Sequence, residues 1–280
     1  MAADSTDDAT DKGTLYDRVI ELIFDAHYTA GATEIAWTRP EINDATDALG
    51  SPRIGNLGDV PYAFRYRRAL PDSIKDRAPD GMEWIIRGDG RAKYKFVAIP
   101  AQARVKPNPM LVTTKIPDST PEIIGATALN DEQALLALVR YNRLIDVFLG
   151  VTAYSLQNHL RTTARGIGQV EVDELYVAVD RWGEQYILPV QAKGGNDELG
   201  VTQAEQDLAV CRDKWPKLVA RPIAAQFMAG GVIALFELTV QDDQIRVLRE
   251  AHYKLVPAKE IDDQDRAIYR QAAGAGVADL

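Results

Sequence analysis

The stretch GQVEVDELYVAVDRWGEQYILPVQAKGG, residues 168–195, constrains the fold more than any other part of the chain. It reads as two strands joined by a short turn. The second strand stays apolar through Ile187, Leu188 and Val190 before it reaches Gln191 and Lys193, the pattern of a central strand whose end opens into a cleft. On the first strand the two-residue period puts Glu171 and Asp173 on one face, and the same period puts Gln191 and Lys193 together on the second. A carboxylate pair beside an amide and a lysine is a donor set for metal-dependent hydrolysis. The bland alternative is a half-exposed strand with Lys193 as the salt-bridge partner of Asp173. A polar pair at the end of a buried strand needs a reason, and that favours a site.

Elsewhere the chain divides by composition. Residues 1–13 are small, polar and acidic and read as a disordered tail. A first domain is expected over 14–100. It starts with an amphipathic helix built on Leu15, Val19, Leu22, Ile23 and Ala26. A second helix opens at a capping box, Thr38 to Glu41, and a third runs from Asp59 to the stop at Pro71, carrying Arg65, Arg67 and Arg68. The segment EWIIRGDGRAKYKFVAI then forms a hairpin that displays Arg87, Arg91, Lys93 and Lys95. Helices followed by a basic hairpin are the order of a winged helix-turn-helix. Residues 101–130, with Pro107, Pro109, Pro117 and Pro121, are expected to be a linker.

A second domain is expected over 131–257. One long helix over 132–150 precedes a second over about 152–163, followed by the strand pair. Next come a loop carrying Asp197 and Glu198, and a helix over 201–215 with Val201, Leu208, Cys211 and Trp215 inward. Two strands, about 219–228 and 232–240, complete it; the remainder reads as surface helix and a frayed end, with 258–280 bounded as the C-terminal helix and tail.

Charge decides which partners to consider. The formal net charge is −9, yet between Arg53 and Lys106 there are twelve Lys or Arg against six Asp or Glu. A basic segment inside an acidic protein points to a nucleic-acid face in the first domain. The single cysteine excludes a disulfide framework, and three scattered histidines offer no close-spaced zinc pair. No apolar run approaches the length of a membrane span, so a cytoplasmic protein without membrane partners is expected.

The second half of the chain resembles the PD-(D/E)xK nuclease superfamily in its order of elements and in Asp173 followed by Gln191-x-Lys193. Val172 stands where the motif has proline, and Gln191 where it most often has an acid. The resemblance implies an α/β (α+β) fold: a restriction-endonuclease-like mixed central sheet flanked by helices, preceded here by the winged helix. It also implies a Mg²⁺-dependent endonuclease acting on double-stranded DNA, most like a type II restriction enzyme, working as a homodimer beside a possible cognate methyltransferase. The implied roles fit elementary chemistry, since a hard cation offsets charge on the phosphorane and Mg²⁺ takes few protein oxygens. Asp173, the Gln191 amide oxygen and the Ala192 carbonyl are the metal ligands on this reading. Lys193 would orient the attacking water or offset charge, and Glu171 is the candidate for a second metal site. Gln203 and Gln206, one and two turns into the following helix, would lie beside the scissile phosphate. A glutamate from the helix before the strands, used by some members, could come only from Glu132. The rival readings are a non-catalytic DNA-binding regulator with a degenerate nuclease-like domain, a repair or defence nuclease, and a protein-interaction module with no nucleic-acid role.

Overall fold

A computed structural model describes residues 6–66, 68–101, 105–127, 132–165, 167–194, 200–242 and 244–275. The chain opens with α1 (Thr6–His27), so helix begins well before residue 14 and replaces most of the expected tail. β1 (Glu34–Thr38) follows, then α2 (Glu41–Ala48), α3 (Asp59–Tyr66), the short α4 (Asp72–Lys75), β2 (Met82–Gly88) and β3 (Lys93–Pro100). Half of the expected capping box forms: the Thr38 amide donates to Oε1 of Glu41 at 2.6 Å, but the Thr38 hydroxyl donates to the same oxygen and α2 starts after Pro40 without a side-chain cap. β1, which the sequence reading omitted, pairs antiparallel with β3, giving the sheet order β1-β3-β2.

The alternation of this small sheet is double-sided. Trp84, Ile86, Tyr94 and Phe96 face α1 to α4 and form one core with Ile20, Phe24 and Trp37. Val97 and Ile99 turn the other way, and the half-buried Ile85 packs with them. They meet Val201, Ala204, Ala224, Ala234 and Phe236 of the second half of the chain. The two halves are therefore welded through an apolar layer rather than strung on a linker. Within the expected linker lie β4 (Thr113–Pro117) and α5 (Glu122–Thr127). β4 is an edge strand of the large sheet, parallel to its last strand, so the prolines punctuate structure here rather than replace it.

The second half contains α6 (Glu132–Tyr141), α7 (Leu144–Leu149), β5 (Thr152–Ala164), β6 (Gly168–Val179), β7 (Gln185–Lys193), α8 (Val201–Lys214), β8 (Val219–Ala220), β9 (Ile223–Met228), β10 (Val232–Gln241), β11 (Gln244–Val256) and α9 (Asp263–Ala275). Three expectations are corrected. The helix over 132–150 is broken at Arg143, whose φ of 50° leaves the helical region. The expected helix over 152–163 is the strand β5, which pairs with β6 along almost its whole length. Its Thr152, Tyr154, Thr162 and Thr163 suit a pleated surface better than a helix. Residues 244–256, expected to be surface helix or tail in part, are a long strand against β10.

These strands form one mixed sheet in the order β4-β11-β10-β9-β7-β6-β5, with β8 beside β7. β5, β6 and β7 run antiparallel in sequence, and α8 then crosses over to place β9 parallel to β7. Leu135, Leu136, Val139, Leu144, Ile145 and Phe148 of α6 and α7 cover one face, against Leu188, Val190, Ile233 and Leu235. α8 covers the other: its Val210 packs on Val170 and Val172, and its Cys211 on Leu175 and Ile187. Because the small sheet lies over the outer side of α8, that helix is enclosed from two directions. The structure is thus a mixed α+β protein with helices on both faces of its main sheet. Among the described residues no helix is long and apolar enough to cross a membrane.

Candidate functional site

The site arises where two strands part. β6 and β7 pair from Val179↔Gln185 to Glu174↔Val190 and no further. Beyond that point β6 continues with β5 alone, and β7 continues with β9 through Lys193↔Gln226. Asp173 and Gln191 are the first residues past the fork, standing across from one another on one face, with Lys193 two residues on. The Asp173 carboxylate fills the fork, where its Oδ2 accepts the Ala192 N–H at 3.1 Å. In a strand the N–H and C=O of one residue point the same way, so the Ala192 carbonyl also faces this gap. Asp173, Gln191, Ala192 and Lys193 are thus brought together as the sequence reading required.

Electrostatics tie them further. Burial pushes the Asp173 carboxyl up, against the pull of the Ala192 amide, Lys193 and His159. Gln191 is 1% exposed. Its Oε1 accepts from Nε2 of Gln203 at 2.7 Å, so Gln203 does reach the site from the first turn of α8. Its Nε2 donates to both carboxyl oxygens of Asp207, at 3.1 and 3.0 Å. Burial drives the Asp207 carboxyl well above its usual range, Asp173 adds to the rise, and Lys193 and the Gln191 hydrogen bond oppose it.

Asp207 was invisible to sequence reasoning, which assigned the inward face of α8 by its apolar residues. The signal that could have found it is Thr202, Gln203, Gln206 and Asp207 clustering on a helix otherwise expected to be core, where buried polar groups demand partners. His159 entered the sequence reading only as one of three scattered histidines. It stands opposite Asp173 on β5, at the residue skipped between Asn158↔Glu174 and Leu160↔Val172. Its φ is 48°, a left-handed conformation uncommon outside glycine.

Glu171 does not join Asp173 as a second ligand. It lies across β5, where Oε1 accepts from Nη2 of Arg161 at 3.2 Å and sits 3.9 Å from Nδ1 of His159. Glu132, the first residue of α6, reaches the end of β7, with its Oε1 3.4 Å from where a Cβ on Gly194 would stand. Glu174 belongs to the opposite face: it is fully buried and accepts from Nε of Arg140 at 2.6 Å and from Ser155 Oγ at 3.0 Å.

The basic residues of the first domain fare unevenly. Arg87 forks onto Glu205 of α8. Arg68 is held by both oxygens of Asp17 and lies over the Phe64 ring, and Lys95 pairs with Glu34. Arg65 is half-buried beside Gly88, with Nη2 3.7 Å from the position of a Cβ there. Only Arg91 and Lys93 of the expected set are open to solvent among the described residues. Arg67, Asp131, Asp197 and Glu198 lie outside the described residues.

Among the described residues no three His, Cys, Asp or Glu side chains converge as a metal-binding group. The donors at the fork are one carboxylate, one amide oxygen and one main-chain carbonyl, all hard oxygens. That set suits Mg²⁺, which binds through one or two carboxylates and keeps several waters. It does not suit zinc, which takes nitrogen and sulfur. Compared with known protein families, curated proteins and solved structures, the chain matches none.

Proposed function

We propose that this chain is a Mg²⁺-dependent phosphodiester hydrolase. More particularly, we read it as a DNA endonuclease of the PD-(D/E)xK kind, most like a type II restriction enzyme. The observation that carries the reading is the fork between β6 and β7, where Asp173, Gln191, the Ala192 carbonyl and Lys193 meet at the end of an otherwise apolar strand. The succession of α6 and α7, the antiparallel β5-β6-β7, the crossover α8 and the parallel β9 supports the restriction-endonuclease-like fold.

Asp173, the Gln191 oxygen and the Ala192 carbonyl would hold the ion, with Glu132 at the rim. The ion would offset charge on the phosphorane and acidify a bound water. The chain's own part is to fix those oxygens and to aim the Lys193 ammonium at the scissile phosphate or the attacking water.

The order α1-β1-α2-α3-α4-β2-β3, with β1 paired to β3, supports the winged-helix reading of the first domain. On that reading Arg91 and Lys93 at the hairpin tip make the phosphate contacts, while Arg87 serves the junction between domains. Cutting both strands of a duplex calls for two sites, hence a homodimer. A methyltransferase acting on the same sequence would protect the host.

Purified protein with Mg²⁺ and plasmid should give cleavage that EDTA abolishes and that Asp173→Ala or Lys193→Ala removes while the fold persists. Undiminished cutting by both variants would sink the assignment. The second reading, a DNA-binding regulator without catalysis, is favoured by one observation. The Gln191 oxygen is already taken by Gln203, leaving the Asp173 carboxylate and the Ala192 carbonyl as the remaining donors described in the fork. That reading expects DNA binding and no cleavage at any Mg²⁺ concentration.

A further inference from the structure

Asp207 is a buried carboxyl to which the proposed hydrolysis gives no task. It is 1% exposed and faces Gln191 squarely, with both oxygens accepting from the same Nε2. A side-chain amide has one donating end and one accepting end. Once the donor is committed to a carboxyl behind it, the oxygen has to point the other way, and it does so toward Gln203. We propose that Asp207 is a positioning residue that locks the Gln191 amide so that position 191 presents an oxygen, and never a nitrogen, to the fork holding Asp173 and Lys193. The lock itself is a matter of hydrogen-bond polarity; only its consequence for Mg²⁺ rests on the nuclease reading.

The pairing also accounts for an amide at 191. In Gln191→Glu two carboxyls would face each other about 3 Å apart inside the protein, repelling if both ionise and lacking any donor between them unless one holds a proton. In Asp207→Asn the new amide can turn either end toward Gln191, and the lock is lost. The double variant Gln191→Glu/Asp207→Asn restores one donor facing one acceptor, in reversed polarity, and again leaves an oxygen toward Gln203. The same geometry gives Gln203 a role that ends when an ion arrives. Its Nε2 holds the oxygen in the absence of metal and can then turn to a phosphate.

The test compares wild type, the two single variants and the double variant in metal-free thermal melts and in Mg²⁺ titrations of plasmid cleavage. Loss of a group that orients a metal ligand typically weakens metal affinity or activity by about 10- to 100-fold. Each single variant should therefore need about 10- to 100-fold more Mg²⁺ for half-maximal cutting and should melt below wild type. The double variant should recover both properties beyond what independent losses allow. Should a single variant fail to fold, folding of the double variant is itself the rescue, and its failure to fold counts against the lock. Additive melting losses without rescue, or an Asp207→Asn enzyme with wild-type Mg²⁺ dependence, would overturn the proposal. If wild type never cuts, the nuclease reading falls and the melts alone decide the lock: recovery in the double variant upholds it, and additivity refutes it.

Discussion

Gly88, at the end of β2, offers a direct measure of how firmly the first domain is seated on the second. A Cβ at this position would stand 2.3 Å from the carbonyl oxygen of Ile167, a main-chain atom in the turn between β5 and β6. Real Cβ contacts essentially never fall under 3.0 Å, so Gly88→Ala must open the junction by at least 0.7 Å, the difference between the two distances. Neither side yields easily, since Gly88 is paired to Tyr94 in the small sheet and Ile167 closes the long β5-β6 hairpin. Forcing one methyl into such a contact costs about 1–3 kcal/mol. Each kcal/mol lowers the melting temperature by about 2–4 °C in a domain of this general size. The assay is urea or thermal unfolding of Gly88→Ala beside Gly55→Ala, where a Cβ meets nothing within 4 Å. Gly55→Ala should stay within about 0.5 kcal/mol of wild type. If Gly88→Ala is equally silent, the close approach is absent in solution and the rigid junction argued above is wrong. A loosened junction should also weaken the grip of Arg87 on Glu205, two residues along α8 from Gln203. Cleavage by Gly88→Ala is therefore expected to fall more than its stability.

Three other expectations follow from particular contacts. Arg91→Ala and Lys93→Ala, at exposed positions, should each weaken DNA binding and lower the salt slope by about 1. Arg87→Ala should destabilise the fold and leave that slope unchanged, and equal slopes for all three variants would refute the division. Gly125 sits inside α5 with nothing within 4 Å of its Cβ position, so Gly125→Ala should stabilise the protein by up to about 1 kcal/mol, read as a raised unfolding midpoint. At Asp180, desolvation raises the carboxyl, but hydrogen bonds from the Trp182 amide, the Tyr186 hydroxyl and the Glu184 amide together hold it below the usual carboxylate range. A depressed folded value stabilises above the ordinary carboxylate value of about 4 and is lost as pH falls through the folded one. Asp180→Asn should melt below wild type at neutral pH and converge with it on acidification, and a gap independent of pH would refute the assignment.

Much of the candidate site was legible because it obeys local periodicity. Gln191 and Lys193 share a face by alternation alone, as do Glu171 and Asp173, and the apolar run through Val190 marks a covered strand; that the two pairs meet is set by the register of β6 on β7. Glu171 shows where that argument stops. It also alternates onto the Asp173 face, yet it pairs across β5 with Arg161, because which neighbour a strand residue meets depends on pairing. Residues 152–164 fail for a related reason. TAYSLQNHLRTTA has too few apolar positions to declare a period, and a strand with the exposure pattern of β5 takes its conformation from its hydrogen bonds to β6.

Sequence alone sufficed for the elements whose apolar pattern is strong, the local basic excess between Arg53 and Lys106, and the residue types at the end of β7. Those properties follow from side chains spaced along one segment, and neighbours in sequence suffice to read them. Tertiary structure alone decided that the two halves share the apolar layer of Val97, Ile99, Val201 and Phe236, and that Arg87, Arg68 and Lys95 are spent on Glu205, Asp17 and Glu34. It also brought Asp207 of α8 behind Gln191 of β7. Each of these is a meeting of segments distant in sequence, and no local period encodes it.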